Sequence, residues 1–146
     1  MPDERWERRN AAVWARLDDL AADDFLAVID ALCAELAAGD PVAAFERGAA
    51  RDSTGHPDQA VSLYREALSG GLTGLRRRRA SIQLASSLRN LGALDESLAL
   101  LRAELDAPSD ELDDAVAGFL ALALAALAAH LPRYQRSLAN YASDLG

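Results

Sequence analysis

FERGAARDSTGHPDQAVSLYREALSGGL, residues 45–72, decides the fold. Gly55-His56-Pro57 divides it into two arms, and proline suits the first turn of a new helix, where its missing N–H costs nothing. In the second arm Ala60, Leu63, Tyr64, Ala67 and Leu68 recur at helical spacing. Ser69-Gly70-Gly71 then stops the helix, because glycine takes the left-handed cap without a Cβ penalty. Asp40-Pro41 opens the first arm as an N-cap followed by proline. The stretch predicts a helical hairpin.

The same punctuation extends outward in both directions. Leu91-Gly92, Ala107-Pro108-Ser109-Asp110 and Leu131-Pro132 are further breaks. Between them Ile82, Ala85, Leu88 and Leu91 form one stripe, and Leu94, Leu98, Leu101 and Leu105 another. Toward the N-terminus Trp6, Val13, Leu17 and Leu20 align, then Phe25, Ile29, Leu32 and Leu36. No run alternates with period 2 between turn residues. The pattern predicts an all-α chain of eight helices, at about 3–20, 23–38, 41–53, 57–69, 76–90, 94–106, 110–130 and 133–144. Short loops make sequential neighbours antiparallel.

Superposing Gly55 on Gly92 exposes an internal repeat offset by 37 residues. Small residues fall together at Gly48 and Ala85 and again at Ala60 and Ser97, and large ones at Tyr64 and Leu101. A weaker copy precedes them, with Ala15, Ala22, Ala27 and Ala34 at the small positions and Ala31 where a large residue is expected. This resembles the tetratricopeptide repeat, a helix pair of about 34 residues. The chain is similar to the small bacterial tetratricopeptide proteins grouped as the fifth tetratricopeptide family. Residues 45–72 carry the resemblance, with IQLASSLRNLGALDESLALLRAEL (82–105) and FLALALAALAAHLPRYQRSLANYASDL (119–145).

The resemblance implies a right-handed superhelix of antiparallel helix pairs, a tetratricopeptide-like α-solenoid. It also implies protein–protein interaction, a homodimer, no enzymatic activity and no defined ligand. The expected organisation is a single domain over 1–146: a degenerate N-terminal pair (1–40), repeat 1 (41–75), repeat 2 (76–109) and a C-terminal pair (110–146). Family members place a glycine turn and more helix ahead of LPRY. Here Leu127–Leu131 runs straight into Pro132, so the last pair is read as shortened.

Composition narrows the function classes. Of 146 residues 32 are alanine and 25 leucine, which excludes disorder, and aromatics at 5% argue against an all-β domain. The single cysteine, Cys33, cannot form an internal disulfide and is read as a small buried residue. MPDERWERRN has no apolar core of a signal peptide, so a cytoplasmic location is expected. Residues 115–131 are uncharged, at the low edge of the roughly 17–25 residues a membrane span needs. Their alanine content fits a buried helix, and no membrane association is expected.

Few residues could carry chemistry. The two imidazoles, His56 and His130, lie at a turn and at a helix end, and no other Cys or His stands at ligand spacing from Cys33. Asp18-Asp19, Asp23-Asp24 and Asp113-Asp114 are adjacent pairs that diverge by about 100° on a helix. Gly70–Gly74 has neither a preceding strand nor a following Gly-Lys-Ser/Thr. No catalytic residue, no metal site and no cofactor is expected, and the architecture favours binding over catalysis.

Charge is the informative feature. Net charge is −8 and every one of the 15 basic residues is arginine. Residues 1–40 carry net −6 and residues 95–146 net −6, whereas residues 76–94 hold Arg76–Arg79 and Arg89 with no acid. By the resemblance, the first helix of each pair lines a concave groove. Repeat 2 would present Arg79, Ile82, Gln83, Ser86, Arg89 and Asn90 to it, and repeat 1 Val42, Phe45, Ala49, Asp52 and Ser53. Helical spacing independently puts 79, 82, 83, 86 and 90 on one face. The predicted partner-binding residues are Phe45, Asp52, Arg79, Gln83, Ser86, Arg89 and Asn90. The partner would be a protein or peptide with acidic groups, onto which arginine forks. The bland alternative is that Arg76–Arg79 pair with Asp106–Asp114 or stay hydrated. Nucleic acid is not expected, because the overall charge opposes it and no aromatics interleave with the arginines. Trp6 and Trp14 give the first helix apolar positions on two sides, suited to capping the stack or to a homodimer contact. Self-association without a groove ligand is the alternative function.

Overall fold

The computed structural model describes residues 1–130. Among them are seven α-helices and no strand: α1 (Glu4–Trp14), α2 (Ala22–Cys33), α3 (Pro41–Ser53), α4 (Pro57–Ser69), α5 (Gly74–Asn90), α6 (Leu94–Leu105) and α7 (Asp113–Ala129). The eighth helix expected over 133–144, with the LPRY segment, lies outside the described residues. Each helix packs on the next, and α5 also reaches α3 and α7.

Local chemistry sets the helix ends. Asp3 caps α1 by accepting from the Trp6 amide at 2.8 Å, and Asp40 caps α3 by accepting from Val42 N at 2.8 Å. The turns after α3 and α5 repeat each other. Gly55 and Gly92 have φ of +83° and +86°, and the next amides close back, His56 N on Arg51 O at 2.9 Å and Ala93 N on Leu88 O at 2.8 Å. This is the six-residue closure of a Schellman cap, which needs a residue at ease with positive φ.

Three predicted ends shift. α1 stops at Trp14, and three-residue bonds (Leu17 N to Trp14 O, Asp19 N to Arg16 O) replace the rest of the expected helix. Asp18 and Asp19 would have stood at its C-terminal end, where negative charge opposes the dipole. α2 stops at Cys33 for a related reason, since Glu35 follows and is drawn to Arg9 of α1. α7 begins at Asp113, because Asp110 spends its carboxylate on the Leu112 amide and Asp113 turns back to Ser109. There the Ser109 hydroxyl, followed by Arg78, holds the Asp113 carboxyl down at about 2.

The core follows the small-against-large pattern. Tyr64, Phe45, Leu84 and Leu88 fill the centre between α3, α4 and α5, with Ala44, Ala60, Ala67 and Ala80 where the helices touch. An ideal Cβ on Gly48 would come within 3.1 Å of the Tyr64 ring, so glycine is what lets α3 approach α4. In the next pair Ala85 takes the place of Gly48, and Ser97, the counterpart of Ala60, donates to Ala85 O at 2.6 Å. A second cluster joins Trp6, Phe25, Ile29 and Leu32 to Ala43 and Ala50, and a third joins Ala85, Leu98 and Leu101 to Ala123. Leu91 and Leu105, the last members of their stripes, are exposed.

Both tryptophans serve the fold. Trp6 is buried, its indole donating to Leu32 O at 2.9 Å, and Trp14 stands edge-on to Phe25. Trp14 is half-buried, so part of its ring stays accessible. No described helix is long and apolar enough to cross a membrane.

Candidate functional site

The first helices of the three pairs, α1, α3 and α5, enclose an open hollow of about 630 Å³. This lies within the roughly 300–1,000 Å³ of ligand pockets. α1 contributes Glu7, Asn10, Ala11 and Trp14; α3 contributes Phe45, Glu46, Ala49, Asp52 and Ser53. The α5 side is Arg76, Arg79, Gln83 and Ser86, and Tyr64 of α4 closes the back.

Five of the seven predicted residues therefore meet in one place: Phe45, Asp52, Arg79, Gln83 and Ser86. Arg89 and Asn90 do not. They lie at the end of α5, where Arg89 donates to Asn90 Oδ1 at 3.2 Å in an exposed pair. Both lie beyond Ser86, the last α5 residue on the hollow, and Arg89 is ten residues, or about 15 Å of helix rise, from Arg79. Ile82, also expected in the groove, is buried, and Val42 packs between two core clusters.

The arginine island is divided by helical geometry. Successive side chains turn about 100°, so four in a row cannot share a face. Arg77 forks onto Glu104 at 2.8 and 2.9 Å. Arg78 is buried and engages Asp110, Asp113 at 2.8 Å and the Glu104 carbonyl at 3.2 Å. Arg78 thus pairs within the expected Asp106–Asp114 stretch, whereas Arg77 finds Glu104 just ahead of it; both tie α5 to α6, and Arg78 also holds the turn before α7.

Arg76 and Arg79, three residues apart, face the hollow. Arg76 forks onto Glu7 of α1 with both bonds at 2.7 Å and donates through Nε to Glu46 of α3 at 3.0 Å. Hydrogen bonding from Arg76 lowers the Glu7 pKa. The other oxygen of Glu46 accepts from the Trp14 indole at 2.8 Å. This network joins the three groove helices. Arg79 is exposed, and no described carboxylate pairs with it.

Asp52 forms the opposite wall. It accepts from Tyr64 Oη at 3.2 Å and from Ser87 Oγ at 3.3 Å. Burial raises its pKa, and these two bonds only partly offset that. Asn10 is buried beside the hollow, and its Oδ1 has no hydrogen-bond partner among the described residues. The other reactive types are occupied elsewhere: Cys33 is buried, its thiol pushed up to about 11 by desolvation, and His130 bonds Ala126 O at 2.8 Å.

The α1 wall was the part that sequence reasoning missed. Glu7, Asn10 and Trp14 recur at three and four residues, a face that could have been noticed, but only the packing shows it turned toward α5.

The helix pairs, their small-residue contacts and the concave face can now be set beside known proteins. A model of the tetratrico peptide repeat family matches residues 41–145. The chain belongs to this family. The Yersinia enterocolitica type III secretion chaperone SycD, solved in complex with a peptide of the translocator YopD, superposes with a TM-score of 0.64. It is 22% identical, and the match covers 84% of this chain and 94% of that one. A second structure, of the Yersinia enterocolitica type III secretion translocator chaperone SycD, gives a TM-score of 0.64 at 23% identity over 80% of this chain and 88% of that one. No curated protein matches the chain. At these identities the tetratricopeptide fold is what is shared.

Proposed function

We propose that this tetratricopeptide protein is a non-enzymatic interaction module that takes an extended segment of a partner protein in the hollow between α1, α3 and α5. The observation that carries the reading is the row Arg79, Gln83 and Ser86 on α5. These side chains face the hollow, and none has a hydrogen-bond partner among the described residues. Along the helix they are spaced by about 6 and 4.5 Å, and an extended chain repeats every two residues at about 6.6–6.8 Å. Trp14, Phe45 and Ala49 supply apolar surface opposite them. The SycD structure with a translocator peptide supports the reading by fold similarity. The perturbed carboxyl of Asp52 is bonded to two packing side chains, which suits a wall more than a proton-transfer group.

Display selection of peptides on the protein tests this, with Ala49→Trp as the counter-target that fills the hollow. Selected peptides should bind the wild type and lose most affinity for the variant. Equal binding to both would reject the groove. Self-association is the second reading, and it rests on Leu122 and Leu124, exposed on α7 at 51% and 42%. Light scattering at tens of micromolar decides it, a clean monomer rejecting it.

A further inference from the structure

Among the described residues, Arg76 serves two carboxylates while Arg79, one turn away on the same face of α5, serves none. The two carboxylates are not equivalent. Glu46 is 5% exposed and is held a second time by the Trp14 indole. Glu7 is 39% exposed, lies on the outermost helix, and reaches Arg76 across 69 residues of sequence. Both Glu7 oxygens are bonded to Arg76, and no other hydrogen bond or ion pair holds that side chain among the described residues. α1 itself packs mainly on α2. Glu7 is therefore the member of the network that an incoming group could replace without stranding a buried charge, whereas loss of Arg76 would leave the buried Glu46 carboxylate without a cation.

We infer that Arg76 and Arg79 form a carboxylate-binding subsite for an acidic residue of the bound segment, and that Glu7 occupies it in the free protein as a built-in competitor. This deepens the groove reading and rests on it. A ligand carboxylate seated here bridges two guanidinium groups instead of one, with Glu46 beneath keeping the Arg76 fork oriented. Its neighbouring side chain then lies against Trp14 and Phe45. Loss of the Glu7 contact also loosens the strap between α1 and α5, so binding and widening of the hollow are one event.

The protein offers its own reporters. It has two indole N–H groups: Trp14 beside the subsite, and Trp6 buried on Leu32 O as a control. The titrants are N-acetyl-Leu-Glu-Leu amide and its Gln counterpart, followed by the two indole signals in NMR. In Glu7→Gln the Glu peptide should shift Trp14 and bind about tenfold tighter than it binds the wild type, a charge-assisted fork being roughly twice as strong as a neutral bond. It should also bind about tenfold tighter than the Gln peptide does. Arg79→Gln, at an exposed position that leaves folding intact, should abolish the preference for Glu. If both peptides shift Trp14 equally, or Glu7→Gln gains nothing over the wild type, the carboxylate subsite is wrong while the groove stands. If neither peptide moves Trp14 in any variant, the groove reading fails and this inference with it.

Discussion

Replacing Gly48 by alanine asks directly whether small residues are what permit this stack. Two effects of known size oppose each other. Alanine in a helix interior is favoured over glycine by ~1 kcal/mol. Against this, the new methyl would meet Tyr64 Cδ1 at 3.1 Å, Leu63 Cβ at 3.2 Å and Tyr64 Cε1 at 3.2 Å. The Leu63 atom met is Cβ, which is fixed to the α4 backbone and moves only with it. Tyr64 cannot easily give way either: it is 1% exposed, tilted against Phe45 at 6.2 Å, and tied by its hydroxyl to Asp52. Overpacking of this kind costs ~1–3 kcal/mol. The expected balance is a net loss of about 1 kcal/mol, or a Tm lower by about 3 °C in a chain of this size. Gly118 is the matched control, because it is exposed in α7 and its added Cβ meets nothing within 4 Å among the described residues. Gly118→Ala should raise Tm by about 2–4 °C through propensity alone. Calorimetry or thermal circular dichroism reads both. If the two substitutions raise Tm alike, the close approach of α3 and α4 does not depend on Gly48 and the packing argument is refuted.

Other outcomes follow from the same contacts. Arg76→Gln leaves the buried Glu46 carboxylate with only the Trp14 indole and should cost about 2 kcal/mol in urea unfolding, less than the ~3–5 of a fully buried pair because Arg76 is 26% exposed. Glu7→Gln, at a wetter position, should cost under ~1 kcal/mol. Asp52 has a raised folded-state pKa, so the native protein binds its proton more tightly than the unfolded chain does. Stability should therefore fall as pH rises from about 4 through the folded pKa, and Asp52→Asn should be more stable than the wild type near neutrality, with the difference vanishing in acid. Paired pH series of urea midpoints check this, and a variant less stable at pH 7 would contradict the desolvation argument. Arg89→Glu should leave the binding of any display-selected peptide unchanged in calorimetry, since Arg89 is outside the hollow.

Much of this architecture was legible before any coordinates. The matched pair Gly55 and Gly92 announced the two identical turns, and Gly48, Ala85, Ala60 and Ser97 announced the close contacts. Local steric rules dictate both features, so they leave a strong trace in sequence. The face of α5 was legible too, because Arg79, Gln83 and Ser86 obey helical spacing. Arg89 was misplaced at the far end, where a shared face says nothing about whether the hollow extends so far. The fate of the arginine island could be read only in part. Four consecutive arginines on a helix must point in different directions, but which carboxylates await them depends on chain segments up to 69 residues away. Glu7 on Arg76 and Glu104 on Arg77 are contacts of that kind. The early halt of α1 is another departure, set by two acids at a C-terminal end, and it is what brings Trp14 to the mouth of the hollow instead of the middle of a longer helix.

The central claim is that the concave face between α1, α3 and α5 is where a partner segment binds. NMR shift mapping with a display-selected peptide tests it most directly, because every helix carries its own signals. The account predicts that the large shifts fall on the Trp14 indole, the Gln83 and Asn10 carboxamides and the amides around Ala49 and Ser86, with α2, α4 and α6 nearly still. Shifts concentrated on those outer helices, with Trp14 and Gln83 unmoved, would contradict it.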